Sequence, residues 1–118
     1  MTPYHHALSS AANFGGQAEE YMEIHNWFDE TKAFTGNWTH RALRHHSAGV
    51  EWAVQKFGNT ISISGKNVPV KLIAENHVKE DCGFIPTVDD WLSVLMTGPK
   101  TWMLKVKKTE EVELQIGE

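Results

Sequence analysis

Glycine-containing breaks divide this chain into short segments, and the positions of these breaks constrain the fold more than any other feature of the sequence. The breaks lie at positions 15–16, 36–37, 58–59, 83 and 98–99. Glycine adopts backbone conformations that other residues avoid, so it commonly follows the last turn of a helix. Each break therefore predicts a helix end, and a chain of 118 residues with this pattern is expected to form one domain.

The segments between the breaks carry apolar residues every three or four positions, which is typical of helices with one buried face. Helices are predicted over about 4–14, 18–34 and 39–56, over 72–81 before Gly83, and from a Thr87 N-cap to Gly98. Residues 60–70 instead alternate with period two around a Gly65-Lys66-Asn67 turn, which predicts a small hairpin.

The predicted fold class is therefore mainly α, a single compact helical domain of about five helices with one small β-hairpin. We expect this domain to cover residues 1–104, with the hairpin near 60–70. Within it, residues 102–104 are expected to pack back on the core. A charged C-terminal tail is expected at residues 105–118.

The charge and the cysteine content exclude several classes of protein. Eleven Lys and Arg against fifteen Asp and Glu give a net charge of −4, which argues against general nucleic-acid binding. The single cysteine, Cys82, excludes an internal disulfide and a zinc ribbon. No apolar run approaches the roughly 18 residues of a membrane span, so we expect a cytoplasmic protein with no membrane partner.

Seven histidines are the one anomaly of the composition, and some of them share a helix face with an acidic residue. In the second predicted helix, His25 and Asp29 are four residues apart and project from the same face, with Lys32 about one turn further along. This spacing suits two metal ligands, or a histidine that a carboxylate orients. The alternative is a surface histidine beside an ordinary ion pair between Asp29 and Lys32.

The third and fourth predicted helices repeat the pattern. His45 and His46 lie in the third helix, where the apolar spacing places His46 on the inward face, and His77 and Asp81 are four residues apart in the fourth. Adjacent histidines diverge by about 100° on a helix, so both cannot face one site equally. Three helices that each direct a histidine inward predict a divalent-metal site, which His6 could complete.

The candidate metal ligands are His6, His25, Asp29, His45, His46, His77 and Asp81. Imidazole and carboxylate ligands suit Zn, Mn, Fe or Ni. Arg41 and Lys32 are candidate catalytic residues, because cations beside such a site would neutralise charge on a small phosphate-containing substrate. The leading hypothesis is thus a metal-dependent phosphoester or nucleotide hydrolase. A polar core of hydrogen-bonded histidines is the alternative, since neither an adjacent His-Asp pair nor a Glu-x-x-His repeat is present.

Four segments taken together resemble a family of small phage and bacterial proteins of unknown function: YHHALSSA, IHNWFDETKAF, HRALRHHSAG and ENHVKEDCGFIPTVDDWL. The similarity runs from about Tyr4 to Met103, with departures at Thr39, where Arg is usual, and at Cys82, where Leu is usual. The resemblance implies a phage or prophage context and a location in the host cytoplasm. The phage context also leaves a second function open: the protein would bind and inhibit a host enzyme or defence protein without being an enzyme. In that case the histidines would be structural.

Overall fold

The computed structural model describes residues 1–95 and 100–104. The six α-helices of this part are α1 (Pro3–Phe14), α2 (Met22–Asp29), α3 (Arg41–Arg44), α4 (Ser47–Phe57), α5 (Val70–Cys82) and α6 (Val88–Leu92). Short 3-10 segments lie at Ala18–Tyr21, Glu30–Ala33, Asn37–His40, Ser93–Leu95 and Thr101–Leu104. Strands β1 (Thr60–Ile63) and β2 (Lys66–Pro69) form one antiparallel hairpin. The predicted class, mainly α with one small hairpin, is confirmed.

Glycines end three of these helices, as the break pattern predicts. Gly15, Gly58 and Gly83 follow α1, α4 and α5, and each has a positive φ. Gly16 adds a packing requirement, because a Cβ there would lie 2.3 Å from Cγ2 of Ile63 in the hairpin. The turn after α1 can therefore pass this close to the hairpin only as glycine.

Helices α1, α2, α4 and α5 pack around one core. Its larger apolar members are Tyr21, Ile24, Trp27, Phe28, Val50, Ile63, Val68, Val70, Ile73 and Val78. Six of the seven histidines are buried together with this core, namely His6, His25, His40, His45, His46 and His77. A buried imidazole is costly unless its ring nitrogens find partners, so the partners of these rings indicate what the histidines do.

The second and third predicted helices are interrupted in the structure. The second consists of α2 with a 3-10 segment at each end. The prediction of one continuous helix over 39–56 is wrong, because α3 ends at Arg44 and α4 begins at Ser47. Leu43 belongs to the apolar spacing that predicts a continuous helix with His46 on its inward face, but it is exposed in the structure. The chain turns sharply at His45 and His46, and Gly49 permits the turn, since a Cβ there would lie only 1.7 Å from the carbonyl oxygen of Arg44.

The hairpin is confirmed, but its turn lies one residue earlier than predicted. Ile63 pairs with Lys66, so the two turn residues are Ser64 and Gly65. Both have positive φ, as the tight turn that matches the twist of a hairpin requires. Ile63 and Val68 are its buried residues, and they join the core.

The C-terminal part begins with the predicted cap. The side chain of Thr87 accepts from the backbone N–H of Asp90, and the Asp90 carboxylate accepts from that of Thr87. The packing predicted for residues 102–104 is wrong, because Trp102, Met103 and Leu104 are all exposed. The predicted helix end at Gly98 and the predicted tail at 105–118 lie outside the described residues. Across 1–95 and 100–104, every helix is too short or too polar to cross a bilayer.

Candidate metal centre

Three parts of the fold bring four potential ligands together. Asp29 is the last residue of α2, His45 lies at the turn between α3 and α4, and His77 and Asp81 are one turn apart on α5. Each residue offers one ligand atom, and these atoms all lie within 4.8 Å of one another. The side chains are almost completely buried. We call these four residues the His/Asp cluster.

The spacing within the His/Asp cluster fits a single ion. The Nε2 atoms of His45 and His77 are 3.2 Å apart. The His45 Nε2 atom is 3.0 Å from Asp81 Oδ2 and 3.5 Å from Asp29 Oδ1, and His77 Nε2 is 3.4 Å from both oxygens. For metal–ligand bonds of about 2.0–2.1 Å, adjacent ligand atoms are about 3.3–3.4 Å apart in a tetrahedron and about 2.9 Å apart in an octahedron. Four of the five distances lie in this interval and the fifth, 3.5 Å, is just above it, so one cation could contact all four atoms.

The two carboxylates carry the negative charge that such an ion requires. Burial acts to raise the pKa of Asp29, but the imidazoles of His45 and His77 outweigh it and hold this pKa well below its usual range. The pKa of Asp81 is likewise well below its usual range, because contacts with His45, His6 and His77 outweigh burial. Among the residues described, the buried Oδ2 of Asp29 has no hydrogen-bond partner, and the Lys32 ammonium lies 3.6 Å from it.

His25 lies behind His77 rather than in the cluster. Its Nδ1 is 2.8 Å from Nδ1 of His77, and its Nε2 is 2.7 Å from the hydroxyl of Ser10. If His77 binds an ion through Nε2, its Nδ1–H donates to His25 Nδ1, and His25 Nε2–H then donates to Ser10. Burial, followed by the neighbouring imidazoles of His77 and His6, lowers the pKa of His25 to about 3, so this ring is neutral. His25 therefore orients His77, as residues behind a metal ligand commonly do.

Other packing interactions hold the His77 ring and the backbone of His45. The His77 ring stacks on His6 with a centroid distance of 3.8 Å and on Phe28 at 4.6 Å. The carbonyl oxygen of His45 accepts from the indole N–H of Trp91 at 2.8 Å, which holds the turn between α3 and α4. The His77 ring is thus positioned before any ligand arrives, whereas the Nδ1 of His45 has no hydrogen-bond partner among the described residues.

His6 contacts the outer oxygen of Asp81. Its Nε2 is 3.1 Å from Asp81 Oδ1, and its Nδ1 is 2.7 Å from Glu80 Oε1. Burial opposes protonation, but the hydrogen bonds to Asp81 and Glu80 prevail and raise the pKa of His6. The structure therefore places His6 as a partner of one potential ligand, with both of its own nitrogens occupied.

His46 is buried, as its place on the inward face predicts, but it does not meet the cluster. Its Nδ1 accepts from the backbone N–H of Gly49 at 3.0 Å, which caps α4, and its Nε2 donates to the carbonyl of Leu43 at 3.2 Å. Its ring also meets Trp52 edge-on. Both nitrogens are occupied at the start of α4, so His46 caps a helix and is not positioned as a ligand.

An open cleft of about 700 Å³ reaches the cluster from the surface. The cluster carboxylates Asp29 and Asp81 form part of its wall, while His45 and His77 lie behind them. Both predicted catalytic cations line the cleft: Lys32 Nζ is 3.6 Å from Asp29, and Arg41 is 3.8 Å from the Asp81 carboxylate and donates to the Asp81 carbonyl. The ion pair between Asp29 and Lys32, weighed as an alternative to a site, is thus present together with the cluster.

Six further cleft residues were not among the predicted site residues: Met1, Thr2, His5, Asn37, Trp38 and His40. Asn37, Trp38 and His40 belong to the 3-10 segment that precedes α3. Their only sequence signal is the short distance between Gly36 and the HRALRHH motif, and it does not indicate which side chains face the cleft.

Comparison with known proteins places the chain in a family. Residues 1–103 match the model of a domain of unknown function (DUF6915), so the chain belongs to this family. No curated protein and no solved structure matches the chain. The family membership suggested by the sequence motifs is confirmed, while the phage context stays a prediction.

Proposed function

We propose that this protein is a divalent-metal-dependent hydrolase of phosphoesters. One observation carries the proposal: four ligand atoms lie at the spacing of a single ion, and two of the residues that offer them, Asp29 and Asp81, border a cleft that also contains Lys32 and Arg41. A metal beside an accessible cleft with cationic walls is the arrangement that hydrolysis of an anionic ester requires.

Asp29, His45, His77 and Asp81 would hold the ion. Two carboxylates balance the charge of a divalent cation, and two imidazoles with two carboxylates suit Zn, Mn, Fe or Ni. Such an ion supplies Lewis acidity and a water nucleophile at neutral pH. Its accessible side would be the carboxylate side, because Asp29 and Asp81 border the cleft.

The two cations have separate tasks in this proposal. The Lys32 side chain is half exposed and flexible, and its ammonium lies 3.6 Å from Asp29. It can therefore contact a phosphate in the cleft while it stays close to Asp29. Arg41 is anchored on the backbone carbonyl of Asp81, and its guanidinium presents a rigid set of donors to phosphate oxygens. Both would neutralise the charge that develops on the phosphoryl group.

A second candidate is a purely structural metal in a protein that acts by binding a partner, such as an inhibitor of a host protein. The observation in its favour is that all four ligands come from the protein and are nine-tenths buried, as in closed structural sites. In that case the ion would stabilise the fold and no substrate would be turned over.

The two candidates are separated by metal content and turnover measured on the same untagged protein. We expect one divalent ion per chain by elemental analysis, and metal-dependent hydrolysis of bis(p-nitrophenyl) phosphate or p-nitrophenyl phosphate. Lys32→Ala should lower kcat/KM by about 10-fold or more while metal content stays constant, because one charge contact to the transition state is lost. Lys56→Ala, which removes an exposed lysine of α4, is the matched control.

Metal at full occupancy without turnover would favour the structural candidate. Protein that binds no divalent ion would contradict both. Equal losses in the Lys32→Ala and Lys56→Ala variants would show that the cleft is not the place of reaction.

A further inference from the structure

A tryptophan stands exposed in the wall of the cleft. Trp38 is 59% exposed and lines the same cleft as Lys32, Arg41 and the two cluster carboxylates. Large aromatic side chains are usually at least half buried in domains with a sufficient core. The position of Trp38 beside two cations and a potential metal site therefore calls for an explanation.

The backbone around Trp38 is anchored on both sides of this residue. The preceding residue, Asn37, has a φ of 56°, a left-handed conformation that side-chain-bearing residues adopt at a cost. The hydroxyl of Thr39 donates to the carbonyl of Gly36 at 2.6 Å. At the other end, the hydroxyl of Thr31 donates to the carbonyl of His40 at 3.2 Å. The exposed ring thus sits on a segment tied down at both ends.

We propose that the substrate is a nucleotide whose base stacks on Trp38 and whose phosphate lies between Lys32 and Arg41. This inference rests on the proposed function, because it names the substrate class for that site. An indole face accepts any base, and cations in the same cleft bind the phosphate. A cleft of about 700 Å³ is within the usual size range of small-molecule sites, and it accommodates a mononucleotide.

The charge of the protein favours a small nucleotide over a nucleic acid. The net charge of −4 repels a long polyanion, whereas one phosphate needs only the local cations. Arg41 is available for such a contact, since it lines the cleft and its side chain is partly exposed there. The cleft therefore suits a single nucleotide.

The test compares AMP with ribose 5-phosphate, which has the same sugar phosphate and no base. Binding is measured by isothermal titration calorimetry with zinc-loaded and with zinc-free protein. We expect AMP to bind the parent about 5- to 150-fold more tightly than ribose 5-phosphate, the range that stacking of one base provides. Trp38→Ala should remove this preference and Trp38→Phe should keep most of it. Trp102→Ala removes a tryptophan that is also mostly exposed but lies outside the cleft, and it should change nothing.

Equal affinities for the two ligands in the parent would overturn the inference, as would a preference that survives Trp38→Ala. Absence of binding of either ligand at millimolar concentration would overturn it too. Failure of the proposed function is read separately, from zinc content and from turnover of the nitrophenyl esters. A Trp38-dependent preference for AMP in a protein without turnover would support the nucleotide site and refute the hydrolase.

Discussion

Gly49 connects the sharp turn between α3 and α4 to the candidate metal centre, and Gly49→Ala tests this connection. In an open helix the change would stabilise the protein by about 1 kcal/mol, because alanine is the better helix former. Here the new Cβ would lie 1.7 Å from the carbonyl oxygen and 2.6 Å from the carbonyl carbon of Arg44. Ordinary contact requires roughly twice the shorter distance, so the turn that places His45 must open.

The expected loss of stability follows from the two atoms that the new Cβ would meet. Both belong to the backbone of Arg44, which cannot rotate aside like the end of a side chain. The cost should reach the upper end of the about 1–3 kcal/mol that overpacking causes, and it should outweigh the gain in helix propensity. We expect a net loss of about 2 kcal/mol, or about 8 °C in Tm for a domain of this size.

Urea denaturation and zinc titration of Gly49→Ala give the two readouts. Zinc affinity should fall as well, because His45 lies in the displaced turn. Gly36→Ala is the control, since a Cβ at Gly36 meets no atom within 4 Å and its φ of −79° suits alanine. A Gly49→Ala protein that is as stable as the parent and binds zinc equally well would refute the reasoning.

Zinc at about 1,000 times its Kd should stabilise the parent by about 4 kcal/mol and raise Tm by roughly 15 °C in calorimetry, whereas His77→Ala should show almost no increase. An equal rise in both proteins would place the zinc elsewhere. His25→Leu should weaken zinc binding by about 10- to 100-fold, because His77 Nδ1–H loses its acceptor, while His25→Asn keeps an acceptor and should lose less. Identical affinities of the parent and His25→Leu would contradict the orienting role. Burial lowers the pKa of His46 below 6.5, so its stabilising contribution is complete above that pH and is lost as the pH falls below it, at up to about 1.4 kcal/mol per pH unit. Urea denaturation between pH 5 and 8 should thus show a flatter profile for His46→Asn, which keeps a cap and does not titrate; parallel profiles would show that His46 does not change its charge on unfolding.

The sequence predicts most residues of the candidate site, but it does not predict which of them are potential ligands and which orient or cap. The spacing of His77 and Asp81 places both on one face of α5, and helical periodicity alone predicts that. His25 and Asp29 have the same spacing on α2, yet only Asp29 reaches the cluster, while His25 contacts the far nitrogen of His77. Periodicity indicates which face of a helix is buried. It does not indicate how far along that face the next helix lies.

The choice between His45 and His46 shows the same limit more sharply. A continuous helix over 39–56 turns His46 inward and His45 aside, which is the arrangement that the apolar spacing predicts. The close approach of Gly49 to Arg44 ends that helix and reverses the outcome, so that His45 enters the cluster and His46 caps α4. The need for glycine at this position arises from a contact between two helices and is invisible in the periodicity.

The sequence by itself determined the local part of the fold, because each local feature depends on the conformations of a few consecutive residues. These features are the helix ends at glycines, the cap at Thr87, the hairpin and the mainly α class. Tertiary structure alone decided which ligand atoms lie within about 3 Å of each other and which side chains line the cleft. A shift of one helix by a single residue moves an atom by about 1.5 Å, which is enough to abolish a metal site while every local pattern stays the same.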